Sequence, residues 1–433
     1  MKLGFIVQRY GTEILGGSEY HCRLVAERLA QRHDVEVLTT CARDYITWKN
    51  DYTPGVDRVR GVSVRRFPTS ETRDIESFNR YSDWIFNYPH TADDEMEWLR
   101  RQGPWSPDLL DYLQKHHDQY DALIFFTYLY APTVLGLRIA PQKSLLVPTA
   151  HDEPAIRLGI YRDVFAAPSA LAFNTEVERR FLLMEFDITA AAQEIVGCGV
   201  DAPEGVAPLK EPAGPGFETN RDEDAERDAA AERIEQGRFR VGGRGTVFRR
   251  RHRLPDPFVL YGGRIDPGKG CEELFQYFET FTERHPEVTL VLMGVKLMPI
   301  PEAPWLRFAG TLSDQERFQA LEAATVVVVP SPFESLSLLA LESFAVGTPV
   351  LANARSEVLE EHCRKSNAGL YYGDRDEFVE GLHLLLSDAR LRRAMGRNGR
   401  DYVRRNYRWE AILSKYDRLL SRLRTKRPSE IAG

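Results

Sequence analysis

The segment Phe333-Glu334-Ser335-Leu336-Ser337-Leu338-Leu339-Ala340-Leu341-Glu342 decides how the chain is read. It follows the apolar run Thr325 to Val329 and passes directly into a helical apolar pattern, so it reads as a strand-to-helix turn with a carboxylate at each end. Upstream, the apolar run Phe258 to Tyr261 ends in Gly263-Arg264-Ile265-Asp266-Pro267-Gly268-Lys269-Gly270, a glycine-rich turn carrying two cations. Open parallel α/β sheets are built from such strand–turn–helix units. Their ligands bind outside the carboxyl ends of the strands.

The same alternation extends outward from these turns. Phe258 to Tyr261, Thr289 to Met293 and Val326 to Val329 read as strands. Cys271 to Arg284, Asp314 to Ala324, Leu338 to Val346 and Asp376 to Ser387 read as helices. The first half repeats the scheme, with strands over Leu3 to Gln8, Val35 to Thr40, Leu123 to Phe126, Leu145 to Pro148 and Leu171 to Phe173, and a helix over Ser18 to Arg32. At 433 residues the chain has room for two α/β domains, each with its own core. The expected division is 1–200 and 201–408, with a charged insertion at about 209–245 and a C-terminal helical segment at 409–433. The insertion includes Arg221-Asp222-Glu223-Asp224 and has too little apolar content for a core; one helix is expected in it, from Asp224 to Gln236.

Composition excludes several functions. The net charge of −7 is unlike that of a dedicated nucleic-acid binder. Five scattered cysteines without a Cys-x-x-Cys pair fit a reducing compartment rather than a disulfide or zinc framework. The apolar start Leu3 to Val7 is shorter than a signal-peptide core, and no run approaches the ~20 apolar residues of a membrane helix. A cytoplasmic protein is expected, and peripheral contact with a membrane stays compatible with that.

Several motifs carry chemistry. Gly263 to Gly270 is nearly a P-loop, but Gly270 stands where magnesium needs Ser or Thr. Pro267 also lacks an amide for a phosphate cradle. A diphosphate site is the better reading: Arg264 supplies a planar fork and Lys269 a mobile point charge. Glu334 and Glu342 suit sugar hydroxyls, and the amides around Leu336 and Ser337 begin a helix, where anions bind. Gly16-Gly17-Ser18-Glu19 opens the first helix without the dinucleotide Gly-x-Gly-x-x-Gly pattern, yet its glycines allow close approach of backbone to a ligand. His151-Asp152-Glu153 follows a strand end, with no second histidine at metal-ligand spacing. Asp222-Glu223-Asp224 lies in the charged insertion and reads as solvated surface. Arg249 to Arg253 reads as the solvent face of a short helix. The rings Trp48, Tyr52, Tyr81, Trp84, Tyr88, Trp98 and Trp105 suit sugar stacking, though such rings are more often core.

In order along the chain, Gly16-Gly17-Ser18-Glu19, His151-Asp152, Gly199-Val200-Asp201, Gly263-Arg264 with Lys269-Gly270, Glu334 to Glu342 and Gly347-Thr348-Pro349-Val350 resemble the retaining, nucleotide-sugar-dependent glycosyltransferases of family 4. The resemblance covers most of the chain outside the insertion. It implies a GT-B fold: α/β, two Rossmann-like doubly wound domains facing a central cleft, with the C-terminal helix packed back on the first domain. It also implies roles. Arg264 and Lys269 take the donor diphosphate, Glu334 the sugar hydroxyls and Glu342 the ribose. Ser335, Leu336 and Ser337 present amides, and His151 lies at the reaction centre. Gly16 and Gly17 face the diphosphate and acceptor, while Thr311 and Leu312 pass the nucleobase. The implied donor is a UDP- or GDP-sugar, the acceptor a glycan or glycolipid, and the route is retaining and metal-independent. Two departures from the family stand out: Gly262 replaces a small aliphatic residue, and Leu336-Ser337 replaces Phe-Gly. A sugar-nucleotide epimerase and a non-catalytic sugar-nucleotide binder are the alternatives on the same fold.

Overall fold

In the computed structural model of the chain, the described residues are 1–14, 16–190, 192–201 and 244–425. The charged insertion, its expected helix and Asp222-Glu223-Asp224 fall almost wholly outside them. The first sheet contains β1 (Lys2–Ile6), β2 (Asp34–Thr40), β3 (Gly55–Val59), β4 (Val62–Phe67), β5 (Ala122–Phe126), β6 (Ser144–Val147), β7 (Ala170–Phe173) and β8 (Ala192–Ile195). Their spatial order is β3-β4-β2-β1-β5-β6-β7-β8, parallel throughout except for β3 against β4. The second sheet contains β9 (Phe258–Gly262), β10 (Thr289–Met293), β11 (Leu306–Gly310), β12 (Val326–Val329), β13 (Val350–Asn353) and β14 (Gly369–Tyr372), ordered β11-β10-β9-β12-β13-β14 and all parallel.

Both sheets reverse their winding once, between β1 and β5 in the first and between β9 and β12 in the second. A crevice opens outside the strand ends at such a switch point. β9 and β12 are neighbours, with Val327 paired to Leu260, so the glycine-rich turn and the Phe333–Ser337 turn leave the sheet side by side. The sequence separates them by about sixty residues and the winding rule brings them together.

Burial explains the apolar runs. All four valines of β12 are buried, as a parallel strand covered on both faces requires. The helix Leu338–Val346 is buried from Ala340 onward and ends at Gly347, whose φ of +84° is a left-handed C-cap. The Gly55–Val59 and Val62–Phe67 hairpin was not read from the sequence. Its outer strand is exposed and charged, without the apolar alternation that marks a half-buried strand. The helix Trp409–Thr425 returns to the first sheet, where it packs on β7 and β8 and buries Ile412, Tyr416, Leu419 and Leu420. Trp48 and Trp98 are fully buried, and both are core rings. Arg249 corrects the solvent-face reading: its Nε and Nη2 donate to the Ala323 carbonyl at 3.1 and 2.6 Å, satisfying an acceptor at a helix C-terminus.

Candidate active site

The glycine-rich turn is fixed by its own backbone. Asp266 caps a short 3-10 turn by accepting from the Lys269 amide at 3.0 Å, and Tyr261 Oη donates to the Arg264 carbonyl at 2.6 Å. Gly270 follows with φ +73°, and a Cβ there would meet the Pro330 carbonyl at 2.4 Å. Glycine is required by conformation and by space. The turn thereby delivers Lys269 to the neighbouring one: Lys269 Nζ lies 2.7 Å from Glu334 Oε1 and 3.5 Å from Ser331 Oγ.

Arg264 points toward the other domain. Its guanidinium lies 5.1 Å from the Tyr45 ring centroid and its Nε 3.3 Å from Asp266. Burial opposes its charge, but Tyr45 and Asp266 more than offset this and raise its pKa. Tyr45 is held in turn by Trp48, edge-on at 5.6 Å, and by Arg73, which donates to the Tyr45 carbonyl.

The Phe333–Ser337 turn is gripped from both domains. The Asn174 amide donates to Ser335 Oγ and the Thr175 hydroxyl to the Ser335 carbonyl, each at 3.2 Å. His362 Nε2 lies 2.8 Å from the Leu336 carbonyl and its Nδ1 3.0 Å from Tyr402 Oη. Since a carbonyl only accepts, Nε2 carries the proton and Nδ1 accepts from Tyr402. Burial lowers the pKa of His362 to about 4, which keeps it neutral. Ser337 sits at φ +60° as the N-cap of the helix that follows. Among the described residues nothing accepts from the Ser335, Leu336 or Ser337 amides. The ring of His151, from the loop after β6, stacks on Phe333 with centroids 5.5 Å apart, and its Nδ1 is buried without a hydrogen-bond partner, 3.8 Å from Glu153 Oε1.

Glu342, the fifth residue of the helix Leu338–Val346, has other company. Arg317 Nη2 lies 2.8 Å and Tyr20 Oη 3.4 Å from its Oε1. Burial raises the pKa of Glu342, with Arg317 the chief opposing charge. Tyr20 belongs to the helix Gly17–Leu29, so the loop of Gly16 and Gly17 begins the element that reaches Glu342. Thr311 and Leu312 lead into the helix Asp314–Ala323 that carries Arg317. In that first helix Glu19 is buried; burial pulls its pKa up, but the Arg9 guanidinium 2.6 Å away holds it below the carboxylate range.

The geometry thus joins Lys269 to Glu334 directly, sets His151 against the neighbour of Glu334, and turns Arg264 toward Tyr45. It also supplies Tyr20, Tyr45, Asn174, Thr175 and Arg317, which sequence reading passed over. Each is a common residue type whose partner lies in the other domain or on a distant loop; only Thr175, an N-cap before Glu-Val-Glu, carries a local signal.

Residues 246–402 match the family described as Glycosyl transferases group 1. In this segment the chain is similar to group 1 glycosyltransferases, and its fold is GT-B. The segment includes both turns, Arg317 and Glu342. The chain is 29% identical over 169 residues to a sulfoquinovosyl transferase of Arabidopsis thaliana, a match spanning 37% of this chain and 32% of that protein. It is 24% identical to a D-inositol 3-phosphate glycosyltransferase of Saccharomonospora viridis, over 96% of this chain and 93% of the relative. The solved structure of Anabaena HepE in complex with UDP and glucose superposes with a TM-score of 0.67 at 14% identity, covering 98% of this chain and all of that one. Among the described residues no helix is long and apolar enough to cross a membrane.

Proposed function

We propose that the protein transfers a sugar from a nucleoside-diphosphate sugar to a hydroxyl acceptor, with retention at the anomeric carbon and without a metal ion. The observation that carries this reading is the Lys269–Glu334 contact of 2.7 Å at the β9/β12 switch point, which sets a cation suited to a diphosphate against a carboxylate suited to sugar hydroxyls. A donor lying across them exchanges this ion pair for two: Lys269 with the diphosphate, Glu334 with the sugar hydroxyls. Arg264 joins Lys269 on the phosphates, the unpartnered amides at Ser335 to Ser337 point at donor oxygens, and Glu342 takes the ribose diol beside Thr311 and Leu312.

The bond between the anomeric carbon and the phosphate oxygen breaks first, leaving positive charge on the ring and negative charge on the diphosphate. Lys269 and Arg264 offset the latter, the work a metal ion does in other transferases. The acceptor oxygen bonds to the same face that the phosphate leaves, and its proton passes to the departing phosphate oxygen. His151, stacked on Phe333, borders that centre, and Gly16 and Gly17 allow the acceptor and diphosphate close approach. The HepE structure, solved with UDP and glucose, supports a nucleotide-sugar donor, read here as a UDP- or GDP-sugar; a glycan or glycolipid acceptor, and a place in the cytoplasm in peripheral contact with a membrane, complete the proposal.

A thermal-shift screen of UDP- and GDP-sugars tests the reading. One donor should raise Tm, and Lys269→Ala should abolish that rise. Equal stabilisation of the variant, or conversion of the nucleotide sugar to an isomer with no acceptor present, counts against it.

A further inference from the structure

We propose that Glu178, a buried carboxylate outside the residues assigned to the donor, is the positioning residue that locks the His151 loop to the segment gripping Ser335. The inference rests on the reading of His151 and Glu334 given above. Its physical part, the locking of two loops, stands on its own geometry.

Glu178 is only 2% exposed, and its two oxygens accept from two loops. Oε1 takes the Ala150 amide at 2.6 Å and Oε2 the Asn174 amide at 2.5 Å. Ala150 immediately precedes His151. Asn174 and Thr175 make the two hydrogen bonds to Ser335, next to Glu334. One side chain therefore ties the end of β6 to the end of β7 and, through Ser335, to the second domain.

An ordinary helix cap does not account for this arrangement. Thr175 is the N-cap, with its hydroxyl accepting from the Glu178 amide at 3.1 Å, and Glu178 is the third residue of the helix. In a capping box that residue bends back to the amide of the cap itself. Here it passes over the Thr175 amide and takes those of Asn174 and of Ala150, 28 positions earlier in sequence. The Ala150 bond also holds a strained turn, since Thr149 sits at φ +50°, a conformation unfavourable for a β-branched residue. Burying a carboxylate is costly unless its oxygens are bonded. A short apolar residue would pack here at lower cost and leave both loops loose.

Glu178→Gln keeps size and shape but leaves one acceptor and one donor, so one of the two amides loses its partner. Hydrogen exchange should quicken at least ~tenfold at the Ala150 amide, the Asn174 amide or both. Displacing a reacting group by about 1 Å costs ~10²-fold in rate; with partial loosening, kcat should fall ~30-fold while the donor KM stays within ~threefold. In a His151→Ala background the same substitution should cost less than ~threefold, because both changes act through one loop. A merely structural role gives the full loss in both backgrounds, and that result, unchanged exchange, or unchanged kcat overturns the proposal. Should Glu178→Gln not fold, Asn174→Ala removes only the link to Ser335 Oγ and should lower kcat ~tenfold; wild-type kcat there overturns it equally. If His151→Ala alone keeps wild-type turnover, the role given to His151 fails, and exchange with the Asn174 variant decides the lock.

Discussion

Replacing Arg317 by methionine tests whether Glu342 depends on a partner that sequence reading did not name. Arg317 and Glu342 lie 2.8 Å apart with side chains 17% and 6% exposed, so this is a buried pair rather than a surface one. Removing one member of a buried pair costs roughly 3–5 kcal/mol, because the other charge is left uncompensated. Partial exposure of Arg317 and the second partner Tyr20 put the expected loss at about 3 kcal/mol. For a domain of roughly 200 residues each kcal/mol moves Tm by about 2–4 °C, so melting should fall by about 6–12 °C.

The sign with pH follows from the direction of the Glu342 shift. Burial already raises its pKa, with Arg317 and the Tyr20 hydrogen bond opposing and Asp314 and Asp201 adding to the rise. Without Arg317 the native carboxyl holds its proton to higher pH than the unfolded one. The native state then binds more protons, and the variant loses stability as pH rises. The gap between wild type and variant should widen from pH 5 to pH 8. Glu342→Gln in the same chain removes the stranded charge and should recover at least half the loss. Melting curves of wild type, Arg317→Met, Glu342→Gln and the double variant at both pH values decide it. A gap below ~1 kcal/mol, a gap independent of pH, or no rescue by Glu342→Gln would refute the argument.

Three further predictions concern the turns. Lys269→Ala should lower turnover ~10²–10³-fold yet change stability by no more than ~1 kcal/mol, because its pair with Glu334 borders the cleft at 28% and 16% exposure. Initial rates and melts of the same preparation separate the two effects. His362, neutral in the fold with a pKa near 4 against 6.5 when unfolded, takes up its proton more readily in the unfolded chain. Stability should therefore fall as pH drops from 6.5 to 4, by about 3 kcal/mol from this residue. His362→Gln should flatten that limb in urea titrations, leaving the share of His21, which burial also holds near 4. Gly270→Ala forces a side chain into φ +73° and onto the Pro330 carbonyl. A cost of about 2–3 kcal/mol is expected, and donor-induced stabilisation should fall with it; an unchanged melt would show that the turn yields.

Much of the fold was legible because burial writes itself into local pattern. Val326 to Val329 and Phe258 to Tyr261 could hardly be anything but covered strands, and Leu338–Val346 has the bounds the sequence gives it. The hairpin Gly55–Val59 and Val62–Phe67 stayed hidden because its outer strand is solvated. Of the candidate site, Arg264, Lys269 and Glu334 were visible as charged residues in the turns after strands, and Glu342 as a carboxylate inside an apolar helical pattern. Arg317 and Glu178 were not. Arg317 follows a capping-box start, Ser313-Asp314-Gln315-Glu316, and Glu178 lies in Glu-Val-Glu-Arg-Arg; both contexts read as solvated helix surface.

The sequence by itself determined two α/β units and the chemistry of two turns, since periodicity and residue type act over a few neighbours. Only the tertiary structure decided which charges meet. Winding at the β9/β12 switch point put Lys269 on Glu334, and the packing of two domains put Tyr20 and Arg317 on Glu342 and Asn174 on Ser335. Such partners are set by distances in space between residues far apart in sequence, and burial then determines how strongly each pair holds.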